Sequence, residues 1–164
     1  ATPESASIQP GDVVDVAFNP QINEFRGERS VQMNILDIRP SCSAPCVGDV
    51  SAYRALRKNR LTPEDAARLL PSRNVLAIIW RYLAVAPAPI RESPMCLCRK
   101  IVRWSGEGLE LGQLLTCLDI FADVNLIQYT RQHKYINITL KPGNQKADLN
   151  TSATMQTLLR VKES

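Results

Sequence analysis

The chain has 164 residues, 45% hydrophobic and 22% charged, ordinary proportions for a soluble globular protein and sufficient for one domain or two small ones. No apolar run approaches the 18 or so residues a membrane-spanning helix needs, and the opening residues lack a charged head followed by an apolar block, so a cytosolic protein is expected. The net charge of +4 is uneven. Up to Cys46, 3 basic residues face 6 acidic ones (−3), whereas from Val47 onward 17 face 10 (+7), a balance that suits a nucleic-acid or acidic-peptide partner.

The first ten residues, ATPESASIQP, read as loop. Between Gly11 and Pro40 two alternating strands flank a polar connection. Val14, Val16 and Phe18 share one face of the first strand, and Val31, Met33 and Ile35 share one face of the second. Leu36 and Ile38 make the second strand apolar on both faces toward its end, which places it deep in a sheet. The connection, Pro20 to Glu28, holds Asn23 and Gly27, which tolerate turn conformations. A lone hairpin is marginal in water, so either the rest of the chain covers it or a preceding region has been removed.

SCSAPC, ending at Cys46, is a small-residue linker, which divides the chain into residues 1–46 and 47–164. The period then changes. Tyr53, Leu56 and Leu61 lead into TPEDAARLLP, where Thr62 caps a helix, Pro63 takes its first position, Glu64 and Asp65 suit its positive end, and Pro71 stops it. SRNVLAIIWRYLAV forms a second helix capped by Ser72. PAPIRES is a Pro-rich break, and Ser93-Pro94 opens a third helix reaching about Trp104, with Met95, Cys98, Ile101 and Val102 on its apolar stripe. After SGEG, Leu111, Leu114, Leu115, Leu118, Phe121 and Val124 recur at helical spacing in a long helix expected to run straight through Leu126-Ile127. QYTRQHKYINITL reads as two short strands, KPGNQKADLN as loop, and Asn150, Thr151 or Ser152 caps a last helix ending near Val161. Helices followed by a two-stranded hairpin are the order of a winged-helix domain, so the fold class is α+β, a β-hairpin followed by a mainly helical, winged-helix-like domain.

Catalytic chemistry finds little support. His133 is the only histidine, the five cysteines do not form the close pairs of a zinc site and are expected as free, mostly buried thiols, and no GxSxG or phosphate-cradling glycine loop occurs. Asp12/Asp15, Glu64/Asp65 and Asp119/Asp123 read as strand surface, helix start and helix face. The solvent face expected between Glu110 and Asn125, with Glu110, Gln113, Thr116, Asp119 and Asp123, has no cation to meet phosphates, so this helix is a core helix and not a groove reader. Positive charge gathers instead at Arg54, Arg57, Lys58 and Arg60, at Arg99, Lys100 and Arg103, and at Arg131 and Lys134 with Lys141 and Lys146. Tyr53, Trp104, Tyr129 and Tyr135 are candidate platforms for unpaired bases.

GDVVDVAFNPQINEFRGERSVQMNILDIRP resembles the closing strands of the OB-fold domain of the bacterial RecJ family of single-stranded-DNA-specific exonucleases. The resemblance rests on the GD-x-VD-x-AF-like strand, on Asn23, Phe25 and Gly27 in the turn, on Val31-Gln32, and on Asp37-Ile38-Arg39-Pro40. LLPSRNVLAIIWRYL, LLTCLDIFADVNLI and KADLNTS are similar to the extra C-terminal domain of Gram-positive-type RecJ. The resemblance implies a 5′→3′ exonuclease of recombination and repair whose DHH-type motifs bind manganese or magnesium. No such motif stands in this chain, so it implies a non-catalytic region beginning inside the OB barrel, with no metal of its own and Arg26 as the remaining DNA contact from that barrel. Three roles are then expected: assisting single-stranded DNA binding, docking the acidic tail of a single-stranded-DNA-binding protein or another repair factor against Arg99 and Arg103, or bracing the nuclease core. Unpaired strands imply a dimer.

Overall fold

Residues 14–40, 46–47, 49–132, 134–143 and 146–164 are described by a computed structural model, with backbone alone for residues 39, 40, 46 and 47. The chain divides into two units, Ala1–Ala44 and Pro45–Ser164.

The first unit holds the hairpin. Strands β1 (Val14–Phe25) and β2 (Glu28–Pro40) pair antiparallel along their whole length, and the turn narrows to Arg26 and Gly27, both at positive φ (52° and 82°). Two consecutive left-handed residues match the right-handed twist of the flanking strands, a conformation glycine adopts freely and arginine does not. The residues from Pro20 to Phe25, expected as connection, are strand.

The pairing moves from Ala17 opposite Asp37 to Phe18 opposite Ile35, leaving Leu36 as the extra residue of a bulge. One extra residue reverses the alternation beyond it. Val14, Val16, Phe18, Pro20 and Ile22 therefore share one face with Val31, Met33, Ile35 and Ile38, while Asp15, Asn19, Gln21 and Asn23 lie over Ser30, Gln32, Asn34 and Asp37. This corrects the expectation of a strand apolar on both faces: the bulge sorts Ile38 onto the apolar side. Nor does β2 lie deep in a sheet. Its Val31 is 73% exposed and its Met33 62%.

The second unit is mixed α+β, with six helices and small open sheets among the described residues. Its elements in order are β3 (Cys46–Val47), α1 (Ser51–Arg57), α2 (Pro63–Leu69), α3 (Arg73–Val85), β4 (Ile90–Glu92), α4 (Pro94–Ser105), β5 (Leu109–Glu110), α5 (Leu111–Asp123), β6 (Ile127–Gln132), β7 (Tyr135–Leu140) and α6 (Ala153–Glu163). None of the described helices is long and apolar enough to cross a membrane.

The capping residues act as their sequence positions imply. Thr62 forms a reciprocal capping box with Asp65, while the Ser72, Ser93 and Ser152 hydroxyls accept the N–H of Val75, Cys96 and Met155. Gly106, at φ 74°, ends α4 in the left-handed conformation.

Helix α5 is the hub. It packs against α1, α2, α3, α4, α6 and β6, and ten of its 13 residues are buried, among them Leu114, Leu118, Ile120 and Phe121. The Phe121 ring meets Trp80 of α3 edge-on at 5.5 Å. At the start of the helix, Gly112 allows close approach of the chain: its N–H donates to the Asp49 carbonyl, and a Cβ there would lie 3.2 Å from that oxygen. The helix ends at Asp123. Asn125 turns left-handed (φ 62°) and Ile127 already belongs to β6, so the expected run through Leu126-Ile127 is broken by a tight turn.

β4, which lies within the stretch expected as a break, adds a third strand to the hairpin in the order β4-β7-β6. Ile90, Ile127, Ile136 and Ile138 are buried on the inner face of this sheet. Sequence periodicity could not show β4, because three residues between prolines carry no period. The last helix extends past Val161 to Glu163. Cys98 is disulfide-bonded, which corrects the expectation of free thiols, because chain folding and not sequence spacing decides which sulfurs meet. Cys96 and Cys117 are free, and burial pushes the Cys117 thiol up, keeping it protonated.

Candidate nucleic-acid interface

Residues four apart on a helix and two apart on a strand each share a face, and here two such pairs meet. Tyr53 and Arg57 project from α1, and Tyr129 and Arg131 from β6. Between them stands Asp119 of α5. The Tyr53 hydroxyl donates to Asp119 Oδ2 at 2.8 Å and the Tyr129 hydroxyl to Oδ1 at 3.0 Å. Arg57 Nη1 lies 4.0 Å from Oδ2, and the Arg131 guanidinium sits 5.9 Å from the centroid of the Tyr53 ring. Burial raises the pKa of Asp119 above the ordinary carboxylate range, opposed by the two tyrosine hydrogen bonds and Arg57. Burial and the neighbouring carboxylate raise both phenols, which stay protonated and act as donors.

The α1 cations lie at or beyond the helix's last turn, where they favour the negative end of its dipole. Arg54, Arg57, Lys58 and Arg60 are exposed, as are Arg131 and, in the β6–β7 turn, Lys134. The fold thus joins the first cluster expected from sequence to Arg131 of the third. His133 lies outside the described residues. Arg26 belongs to the other unit, at the hairpin turn, with its guanidinium 5.2 Å from the Phe25 ring centroid.

The middle cluster does not form one exposed cationic face. Lys100 donates to Glu92 Oε1 at 2.6 Å with the two side chains only 11% and 16% exposed, and Arg99 is half-buried with its Nε unpartnered. Of these three, only Arg103 is exposed. Strand β4, invisible in the sequence, supplies the Glu92 that draws Lys100 inward.

The α5 carboxylates also differ from expectation. Instead of lining a solvent face, each is engaged by another element. Asp119 takes the two tyrosines, and Glu110 accepts from Arg68 Nε at 2.9 Å, with the same guanidinium 2.7 Å from Asp49. Asp49 is lowered to about 2, first by the Ser51 N–H it accepts and then by the Ser51 hydroxyl and Arg68. Asp123 accepts from the Ser152 hydroxyl at 2.7 Å and the Thr154 N–H at 2.9 Å. Burial opposes its ionisation, but these donors outweigh burial and the net shift is downward. Thr116 is buried, its hydroxyl donating to the Gly112 carbonyl.

Among the aromatics, Tyr53 is only 4% exposed, so its ring is no open platform for a base. Trp104 is 50% exposed and packs edge-on to Tyr82 at 5.7 Å, while Tyr135 is 38% exposed with the Arg91 guanidinium 5.8 Å from its centroid. Arg91 was not singled out from sequence, since it lies on the unforeseen strand β4.

A cleft of about 580 Å³ opens beside α3, lined by Leu76, Trp80, Phe121 and Leu126 together with the exposed Arg73 and Lys146. Among the described residues, no group of three or more histidine, cysteine, aspartate or glutamate side chains stands together as a metal site. No family model, curated protein or solved structure matches the chain.

Proposed function

We propose that the chain is a non-catalytic accessory region of a RecJ-like 5′→3′ exonuclease, cytoplasmic, that assists binding of single-stranded DNA. The observation that carries the reading is the meeting of Arg57 and Arg131 on one tyrosine–aspartate cluster, flanked by Arg54, Lys58 and Arg60. Several cations converging on one track are what phosphates require. The hairpin's one-sided apolar face supports reading it as strands of an OB barrel, whose inner face is apolar. The order α3-β4-α4-α5-β6-β7, with sheet order β4-β7-β6, supports the winged-helix reading of the second unit. In that reading α5 does not enter a groove, because its sides are covered by α1, α2 and α6 and its carboxylates are engaged.

Titrating labelled oligonucleotide against salt tests this role. Unpaired strands give a slope of about −0.7 per neutralised phosphate, so Arg57→Gln with Arg131→Gln is expected to flatten the slope by about 1.4 and weaken binding at low salt. An unchanged slope, or no binding by the wild-type chain at low salt, sinks the reading.

A second reading rests on the cleft beside α3. An apolar lining that includes two exposed cations suits the acidic tail of a single-stranded-DNA-binding protein or another repair factor. In this reading the docking residues are Arg73 and Lys146, not Arg99 and Arg103. Saturable binding of an acidic C-terminal peptide, lost on Arg73→Glu and kept on Arg103→Glu, supports it. Absence of both activities leaves the role of a structural brace.

A further inference from the structure

The outer face of the three-stranded sheet differs from the inner one in a way that bears on ligands. Alternation along each strand sends Arg91 of β4, Tyr135 and Asn137 of β7, and Gln128, Thr130 and Gln132 of β6 to the same side. Register aligns Arg91, Asn137 and Thr130 in one row and places Gln132 opposite Tyr135. Among the described residues no carboxylate stands on this face: Glu92 points inward to Lys100. Tyr135 is the exposed large hydrophobic group of the face, and the Arg91 guanidinium lies over its ring.

We propose that this sheet face is a base-contacting surface for unpaired nucleic acid, with Tyr135 as the stacking platform and Arg91 as its cationic companion. A protein partner would need an apolar patch, which a single tyrosine among amides and hydroxyls does not supply. An unpaired strand needs a π-face, a cation, and side chains that both donate to and accept from base edges, and these six residues provide all three. Charge complementarity points the same way: the face carries Arg91 and no acid, with Lys134 in the adjoining turn. Arg131 points to the opposite side of β6, but β6 is an edge strand, so a strand whose phosphates meet the Arg57–Arg131 patch would pass around that edge to place its bases on the sheet. The inference rests on the proposed single-stranded DNA binding and deepens it.

The test compares a thymidine oligonucleotide of about 16 residues with an abasic strand of the same length, by fluorescence anisotropy on the full chain. Tyr135→Ala is expected to weaken the thymidine strand about tenfold, the scale of losing one stacked base, while leaving the abasic strand and the salt slope unchanged. Tyr135→Phe keeps the ring and is expected to keep affinity. Should the alanine variant not fold, photocrosslinking of the wild-type chain to a strand carrying 5-iododeoxyuridine is expected to map to Tyr135. Equal affinity of the wild-type chain for both strands, or crosslinks that map elsewhere, overturns the base-contacting surface while the phosphate patch stands. Failure of both strands to bind at low salt overturns the patch and the surface together.

Discussion

The Tyr53 hydroxyl donates to the Asp119 carboxylate at 2.8 Å across 66 residues of chain, fastening α1 to the central helix. Tyr129 closes the same carboxylate from β6, so one aspartate ties three elements. Arg57 and Arg131 lie against this cluster, and their positions depend on it.

Removing the carboxylate leaves two phenols without their acceptor, each a loss on the scale of about 1–3 kcal/mol when buried. Asp119→Ala is therefore expected to lower stability by roughly 3 kcal/mol in urea unfolding, and Tyr53→Phe by about 1 kcal/mol. Equal stability of Asp119→Ala and wild type would show that the cluster does not hold α1.

Two carboxylates one helical turn apart carry opposite pH signatures. Asp119 is raised on folding, so its contribution is most favourable below the unfolded value of about 3.9 and falls as pH rises through the folded value. Asp123 is lowered, so its contribution is present above about 3.9 and is lost as pH falls through the folded value. Urea midpoints followed through the acid range should show the wild type losing ground to Asp119→Asn with rising pH, and gaining on Asp123→Asn. Parallel profiles for the two variants contradict the assignment.

Lys100 separates structural from phosphate-binding cations. Its partner Glu92 has one unpartnered oxygen already, so Lys100→Ala leaves a largely buried carboxylate alone and is expected to destabilise by about 3 kcal/mol. The salt slope for oligonucleotide binding should not move. A slope flattened as much by Lys100→Ala as by Arg57→Gln would return Lys100 to the DNA-contacting set.

The apolar face of the hairpin is broad enough to seat a second hairpin. Ile22, Val31, Met33 and Ile35 are each more than 60% exposed on one side of it, and faces of this kind associate. Sedimentation velocity is expected to show a concentration-dependent dimer, removed by Val31→Lys with Met33→Lys. A strict monomer across the concentration range rules the dimer out.

The helix caps were legible residue by residue. Thr62, Ser72 and Ser93 each act on an N–H within three residues, so their role travels with the local sequence. The strands of both hairpins show in alternation for the same reason. Leu36 marks the limit. A bulge depends on which residue of the other strand it faces, and the string VQMNILDI reads as two-sided until pairing sorts it. The turn after α5 was hidden too, because Val124, Leu126 and Ile127 continue an apolar run across a break made by Asn125.

Composition and spacing alone reach the α+β class, the caps, and a cationic second part lacking recognisable nuclease motifs. Which charges remain available to a ligand is decided in three dimensions. Periodicity assigns a side chain to a face of its own helix or strand, but solvent reaches that face only if no other element covers it. α1, α2 and α6 cover α5, burying Asp119 and engaging Glu110 and Asp123. Elsewhere β4 draws Lys100 of α4 inward to Glu92, and the meeting of β6 with α1 sets Arg131 beside Tyr53.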